Sequence, residues 1–221
     1  MLRTRIKICG IREPDHARAA VAAGADAIGL VFAEQSPRHV TPEQAHEIVQ
    51  AIPAFIDIVG LFADHTAEQI HQIVVITGIR TLQLHGSEPT QLIDNLPNLP
   101  IIKALPFIPD AATRYTDWLY HPRTRAILWD TPPDANNTWG GTGKSFPWEP
   151  FSLTIHAPAA AGWPLPILAG GLNPANVAEA IRTTKPYAVD VSTGVEANRG
   201  VKDIQRIVAF CRAVRKADTT R

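Results

Sequence analysis

The sequence predicts a single (β/α)8 barrel, and three observations predict it. Short apolar runs with strand character alternate with longer segments of helical periodicity, eight of each. The 221 residues match the length of a compact eightfold barrel with few insertions. Several strands end in cysteine, glycine, aspartate or hydroxyl residues, at the end where barrel loops gather around a ligand. An open doubly wound sheet is the main competitor for such alternation. It would usually carry a glycine-rich dinucleotide turn after an early strand, and none is present.

Strand 1 lies in Arg5-Ile6-Lys7-Ile8-Cys9-Gly10, with Ile6 and Ile8 on one face and Lys7 and Cys9 on the other. A lysine on the inward face of a buried strand is costly unless it has a task. Residues 14–23 read as a helix opened by Pro14 and closed by Gly24. The near-continuous apolar run 27–32 has the signature of a strand buried on both faces. After the polar loop Ser36-Pro37-Arg38-His39, Thr41 caps a helix to about 52, with Pro42 in its first turn. Residues 58–62 form a strand, and 67–77 a helix ended by Gly78. Strands over 82–85, 101–105 and 126–130 follow, separated by helices over 88–96 and 110–120. A loop rich in Pro, Asn and Gly spans 131–147, before a weak helix from about Trp148. The strand 167–169 ends at Gly170-Gly171, and Asn173-Pro174 opens a helix to 184. The strand 189–192 ends at Thr193-Gly194, and 202–216 is the last helix. No compositional break divides the chain, so 1–221 reads as one domain, with a polar tail over 218–221 expected to fray.

Composition narrows the function classes. With 45% hydrophobic and 19% charged residues, the chain can bury a sizeable core. Twenty-one basic residues balance twenty-one acidic ones, so no global field draws nucleic acid or an acidic membrane, although a local anion site remains open. Cys9 and Cys211 are too few for a disulfide framework, and no Cys/His cluster has zinc-ligand spacing, so no metal is expected. Cys211 reads as core. Lys7 and Arg12 interrupt the first apolar run, so no signal-peptide core forms, and no segment is long enough to span a membrane. These features point to a soluble protein of the reducing cytoplasm. The sequence leaves monomer and homodimer equally open.

The glycine clusters suggest the ligand class. Gly140-Gly141-Thr142-Gly143-Lys144-Ser145 resembles the second half of a P-loop but lacks the leading glycine and follows a long loop, which argues against a nucleotide site. Gly170-Gly171 after strand 7 and Ser192-Thr193-Gly194 after strand 8 stand where barrels commonly cradle a phosphate with backbone N–H groups. Three clusters in the C-terminal half, Gly141 and Gly143 included, favour phosphate binding over tight turns alone.

Acid–base candidates lie at the same end of the barrel. Asp130 closes strand 6 and could be a general acid or base; an Asx-turn is the plainer reading. Cys9 alone would more often be a small buried hydrophobe, but Lys7 on the same face could depress its pKa toward neutrality. Asp190, inward on strand 8 beside strand 1, is expected to pair with Lys7 inside the barrel. Arg38, in the loop after strand 2, is suited to holding a carboxylate bidentately. Gln83 and His85 share a face of strand 4, and either a hydrogen bond to substrate or a structural role suits them.

Together Lys7-Ile8-Cys9-Gly10, Ser36-Pro37-Arg38, Gln83-Leu84-His85-Gly86, Asp130-Thr131, Gly140-Gly141-Thr142-Gly143, Leu168-Ala169-Gly170-Gly171-Leu172 and Asp190-Val191-Ser192-Thr193-Gly194-Val195-Glu196 resemble the phosphoribosylanthranilate isomerase family, in order over essentially the whole chain. The resemblance implies the (β/α)8 barrel. It also implies an Amadori rearrangement of N-(5-phosphoribosyl)anthranilate in tryptophan biosynthesis, with Cys9 as general base, Asp130 as general acid and Arg38 on the anthranilate carboxylate. That chemistry needs neither metal nor cofactor, and it requires Asp130 protonated and Cys9 as thiolate. Three positions depart from the family pattern: Trp129, expected to point outward to the helices; Pro147, in place of a common aspartate; and Thr193, in place of a usual serine. The nearest rival, an isomerase barrel of histidine biosynthesis, would carry aspartate where Cys9 stands and show two similar halves. A non-catalytic phospho-ligand-binding barrel would be favoured by loss of Cys9 or Asp130, and both are present.

Overall fold

A computed structural model describes residues 3–132, 148 and 164–219. Eight parallel strands close into a barrel in chain order: β1 (Arg5–Cys9), β2 (Ala27–Val31), β3 (Asp57–Phe62), β4 (Thr81–Leu84), β5 (Ile101–Pro106), β6 (Thr124–Asp130), β7 (Leu165–Leu168) and β8 (Ala188–Val191). The last strand pairs back onto β1, placing Lys7 opposite Asp190, while on the other edge Cys9 stands opposite Gly29. Of the expected loop after β6, residues 133–147, with Gly141, Gly143 and Pro147, lie outside the described residues, as does all but Trp148 of the helix expected there.

The first three helices begin in two ways, with proline in the first turn or with a side-chain cap. Pro14 and Asp15 open α1 (Pro14–Ala22). Thr41 and Thr66 each form a reciprocal capping box, with Gln44 and Gln69, at the starts of α2 (Pro42–Gln50) and α3 (Ala67–Thr77). Gly78 ends α3 at φ +69°, a conformation that costs glycine little.

Two expected helices differ from the structure. Between β4 and β5 the chain makes only a 3-10 turn, Thr90–Asn95. Glu88 is drawn inward instead of starting a helix: its carboxylate accepts from the backbone of Asp64 and Gly86 and from Lys103 at 2.6 Å. The segment over 110–120 divides at Tyr115 into α4 (Ala111–Arg114) and α5 (Thr116–Leu119). There the Thr116 hydroxyl donates to the Thr113 and Ala112 carbonyls, competing with the helical ladder. Beyond β7, α6 (Val177–Thr184) and, after a short hairpin of β9 (Glu196–Asn198) and β10 (Val201–Lys202), α7 (Ile204–Thr219) complete the described elements. The tail does not fray at Asp218, whose carboxylate accepts from Thr4 N and Oγ1 at 2.9 and 2.7 Å.

The core has two parts. Outward strand residues such as Ile6, Ile8, Leu82 and Trp129 pack with the helices, where each fully buried aliphatic side chain contributes roughly 1.5–3 kcal/mol. Trp129 points to that layer, as expected, with its ring edge-on to Phe107. Cys211 is buried there too, and burial pushes its thiol up to about 11. Inside the barrel, Val59, Ile102, Ala104, Ala126, Leu128 and Ile167 form an apolar floor. The polar residues of the strands' C-terminal ends stand above it.

Candidate active site

Alternation along β1 turns Lys7 and Cys9 into the barrel, both almost fully buried. Lys7 Nζ donates to Asp190 Oδ1 at 2.8 Å, so the expected interior ion pair forms. Burial works against the Lys7 charge, but the Asp190 carboxylate and the Cys9 sulfur together hold its pKa above the ordinary lysine range. The Cys9 thiol behaves otherwise than its neighbour suggested. Burial pushes it up, Asp190 adds to the rise, and these outweigh the opposing Lys7 and Lys202 ammoniums. The expected drop toward neutrality is therefore corrected: burial inside the barrel outweighs the field that Lys7 projects onto the sulfur, and Asp190 works in the same direction as burial.

Room for this pair depends on β2. A Cβ at Gly29 would lie 2.8 Å from Cys9 Sγ, closer than real side chains approach, and a tight 3.2 Å from Lys7 Nζ. Nothing in the local sequence marks Gly29. Only the register between β1 and β2 reveals it.

Asp130 ends β6 with its side chain at the same mouth, separated from β1 by β7 and β8 on the shorter way round. Its Oδ1 accepts from Thr131 N at 2.7 Å, the Asx-type contact of a strand end. Its Oδ2 stands 3.5 Å from His85 Nε2. Gln83, fully buried below, contacts His85 Nδ1 at 2.9 Å and not the open mouth. Gly170, at φ +78°, leaves space for this carboxylate, since a Cβ there would meet Thr131 Oγ1 at 2.4 Å and Asp130 Oδ1 at 3.1 Å.

Arg38 is held more firmly than a loop arginine. Its Nε and Nη2 donate to the two oxygens of Glu196 at 2.6 and 3.0 Å, and Nη2 also donates to Thr193 Oγ1 at 3.0 Å. The Nε/Nη2 edge is thus taken by Glu196, and Nη1 is the part of the guanidinium left for a ligand; the sequence reading assigned a bidentate grip to Arg38. Glu196 is buried, and although burial alone would raise its pKa, Arg38, Lys202 and the Gly200 N–H bring it down to about 2. Lys202 Nζ donates to Glu196 Oε1 at 2.8 Å and to the Ser192 carbonyl at 3.0 Å. Burial lowers the Lys202 pKa, with Glu196 opposing. Glu196 closes one of the motifs that carry the family resemblance but receives no role from it, and Lys202 lies in no motif; their signal is charge on a hairpin otherwise free to be neutral.

The loops after β7 and β8 form one concave surface. Gly170, Gly171, Ser192, Thr193 and Gly194 line a pocket with Asp130 and Asp190. Gly170 and Gly171 both take left-handed φ, +78° and +62°, a conformation that glycine adopts at little cost. Gly194 closes the seam: a Cβ there would lie 1.9 Å from the Leu172 carbonyl oxygen. A 3-10 turn, Thr193–Val195, follows β8. The site therefore offers a thiol beside an ammonium, a carboxyl group beyond two intervening strands, and a glycine-lined pocket between them. Among the described residues no cluster of three or more His, Cys, Asp or Glu side chains could hold a metal ion.

Comparison with known proteins agrees with this layout. A family model described as N-(5'phosphoribosyl)anthranilate (PRA) isomerase matches residues 6–213. N-(5'-phosphoribosyl)anthranilate isomerase of Geobacter sulfurreducens is 46% identical over 209 residues, covering 94% of this chain and 97% of its own. The Hahella chejuensis protein of that name is 44% identical over 208 residues, covering 94% and 92%. Among solved structures, phosphoribosyl anthranilate isomerase from Thermotoga maritima superimposes with a TM-score of 0.84 at 35% identity, covering 96% of this chain and 99% of its own. A phosphoribosyl anthranilate isomerase in complex with reduced 1-(o-carboxyphenylamino)-1-deoxyribulose 5-phosphate has a TM-score of 0.81 at 34% identity, with coverage of 96% and 99%. On this agreement over nearly its full length, the chain belongs to the N-(5'-phosphoribosyl)anthranilate isomerase family.

Proposed function

We propose that this protein is a phosphoribosylanthranilate isomerase of tryptophan biosynthesis, converting N-(5-phosphoribosyl)anthranilate to 1-(2-carboxyphenylamino)-1-deoxyribulose 5-phosphate. The observation that carries the reading is the placement of Cys9 and Asp130 at one barrel mouth, on strands separated by the two whose loops form the glycine pocket. An Amadori rearrangement needs two proton-transfer points set apart around a sugar whose phosphate is anchored between them.

Asp130 as the acid donates its proton to the furanose ring oxygen, and the C1′–O bond breaks to leave an iminium at C1′. Cys9 as the base, in its thiolate form, removes the C2′ proton. The resulting enolamine gains a proton at C1′ and loses the one on its C2′ hydroxyl, becoming the ketone at C2′, while Asp130 regains a proton and Cys9 gives up the one it took. C2′ is oxidised as C1′ is reduced, so no outside electron acceptor enters the balance. The backbone of Gly170, Gly171 and Gly194 with the hydroxyls of Ser192 and Thr193 anchors the phosphate. Arg38, held by Glu196, presents Nη1 to the anthranilate carboxylate. The Lys7–Asp190 pair shapes the base end of the floor.

The whole chain is read as one domain working on a small molecule, as a monomer or homodimer; a dimeric form is described for the Thermotoga maritima relative. Two unpaired, buried cysteines support a reducing, cytoplasmic setting. No described helix is long and apolar enough to cross a membrane. The test follows loss of fluorescence from freshly generated phosphoribosylanthranilate. Wild-type protein should consume it, and Cys9→Ala and Asp130→Asn should each lower kcat by about 10²–10⁴-fold with an unchanged circular dichroism spectrum. A wild type that leaves the substrate intact would overturn the function, and near-normal kcat in either variant would overturn that residue's role.

A further inference from the structure

Gln83 is fully buried on β4, with its amide nitrogen 2.9 Å from His85 Nδ1 and its carbonyl oxygen, equally buried, without a hydrogen-bond partner among the described residues. The other ring nitrogen of His85 lies 3.5 Å from Asp130 Oδ2. A side-chain amide presents a donor and an acceptor of nearly the same shape, so a half-turn exchanges them at the same imidazole nitrogen. With the NH₂ group toward Nδ1, His85 carries its hydrogen on Nε2 and donates to an ionised Asp130. With the carbonyl toward Nδ1, His85 carries the hydrogen on Nδ1, and Nε2 accepts from a protonated Asp130. The two arrangements differ by the one proton that Asp130 gains or gives up.

We propose that His85 is a positioning residue for Asp130, and that the Gln83 amide turns to serve either imidazole tautomer, so that the carboxyl group keeps its orientation in both protonation states. This rests on the isomerase reading, in which Asp130 must act as an acid and then be restored. Thr131 N holds only Oδ1, and an acid whose Oδ2 lost its partner on giving up its proton would have to be repositioned in every cycle. A role in binding substrate directly would not call for a fully buried amide under the imidazole, and among the described residues no donor fixes the Gln83 carbonyl oxygen, so the amide is able to turn. The other charged groups of the mouth are engaged elsewhere: Lys7 of β1 with Asp190 of β8, and Arg38 and Lys202 with Glu196. Cys9 sits beside Lys7, and Lys103 of β5 points outward to Glu88 and the Trp118 ring.

The test separates positioning from binding. His85→Leu should lower kcat about ten- to a hundredfold with KM changed less than about twofold, and His85→Gln, whose amide can also donate or accept, should recover most of that loss. A loss confined to KM, or no recovery in a folded His85→Gln, would overturn the proposal. Nuclear magnetic resonance of the wild type gives a readout independent of turnover, and hence of the isomerase assignment. The ring ¹⁵N signals of His85 should show hydrogen on Nε2 when the Asp130 ¹³C signal is that of a carboxylate, and on Nδ1 when it is that of a carboxylic acid. Ring signals that keep one tautomer in both states of Asp130 would overturn it.

Discussion

At the scale of single residues, the chemistry at Cys9 is a contest between burial and charge. A thiol enclosed by the barrel resists ionisation, and the adjacent Lys7 ammonium opposes that resistance while being tied to Asp190. A general base must lose its proton, so turnover should climb with pH toward the raised thiol pKa and level off above it. Replacing the pair together, Lys7→Met with Asp190→Asn, avoids stranding one buried charge. Lys7 lowers the thiol pKa more than Asp190 raises it, so the double variant should move the rising limb of kcat to still higher pH. Each pH unit of movement costs about tenfold in kcat at neutral pH. Profiles of kcat against pH for the two proteins check this, and superimposable limbs would show that Lys7 does not influence the base. The proximity of Lys7 and Cys9 was legible from strand alternation, and their joint partner Asp190 from barrel closure. The winner of the contest was not, because it depends on how completely neighbouring strands exclude water. Gly29 was illegible for a related reason: its requirement arises only from its register opposite Cys9.

Among the elements, the β9–β10 hairpin holds Arg38, the residue proposed to meet the substrate carboxylate. It carries Glu196 and Lys202 back over the barrel mouth, and Glu196 fixes the plane of a guanidinium 158 residues earlier in the chain. The backbone is fitted closely around this clamp. Gly10, at φ +77°, would with a Cβ come within 2.5 Å of Arg38 Cδ, and Gly200 would come within 2.4 Å of the Pro37 carbonyl. Glu196→Gln preserves size and removes the charge that anchors Arg38. KM should rise about tenfold, a loss of about 1.4 kcal/mol in substrate binding, while kcat stays within about threefold because the acid and base are untouched. Steady-state kinetics with phosphoribosylanthranilate decide it, and an unchanged KM would remove Glu196 from the site. The sequence announced Arg38 through its loop position but gave no sign of its clamp, since a hairpin after strand 8 adds to the alternating pattern without interrupting it. The same limit explains the fourth helix. Residues 88–96 have helical composition, yet the cost of leaving Lys103 buried and unpaired draws Glu88 inward and leaves only a 3-10 turn.

For the whole molecule, the decisive step is closure of β8 onto β1, because it alone brings Asp190 to Lys7 and completes the mouth. Eightfold alternation made closure legible, but not what latches it. The latch lies at the opposite end of β1 from Cys9. Thr4, 1% exposed, donates through its backbone N–H and its hydroxyl to Asp218 in the last turn of α7, and Arg215 of the same helix donates to the Thr4 and Gly24 carbonyls. Arg3 and Arg215 also face Asp26, which joins the turn before β2 to the same knot. Asp218→Ala would leave two buried donors on Thr4 unsatisfied, a cost of about 1–3 kcal/mol. In a domain of this size each kcal/mol lowers Tm by about 2–4 °C. Thermal unfolding of the variant should therefore shift down by several degrees, while kcat at 25 °C stays at the wild-type value because the latch touches no group at the mouth. An unchanged Tm would mean that helix packing through Ile207, Phe210 and Val214 holds the seam without the polar knot. A fall in kcat at constant fold would mean that the seam's two ends are coupled through β1, so that closure tunes the Lys7–Asp190 contact as well as permitting it.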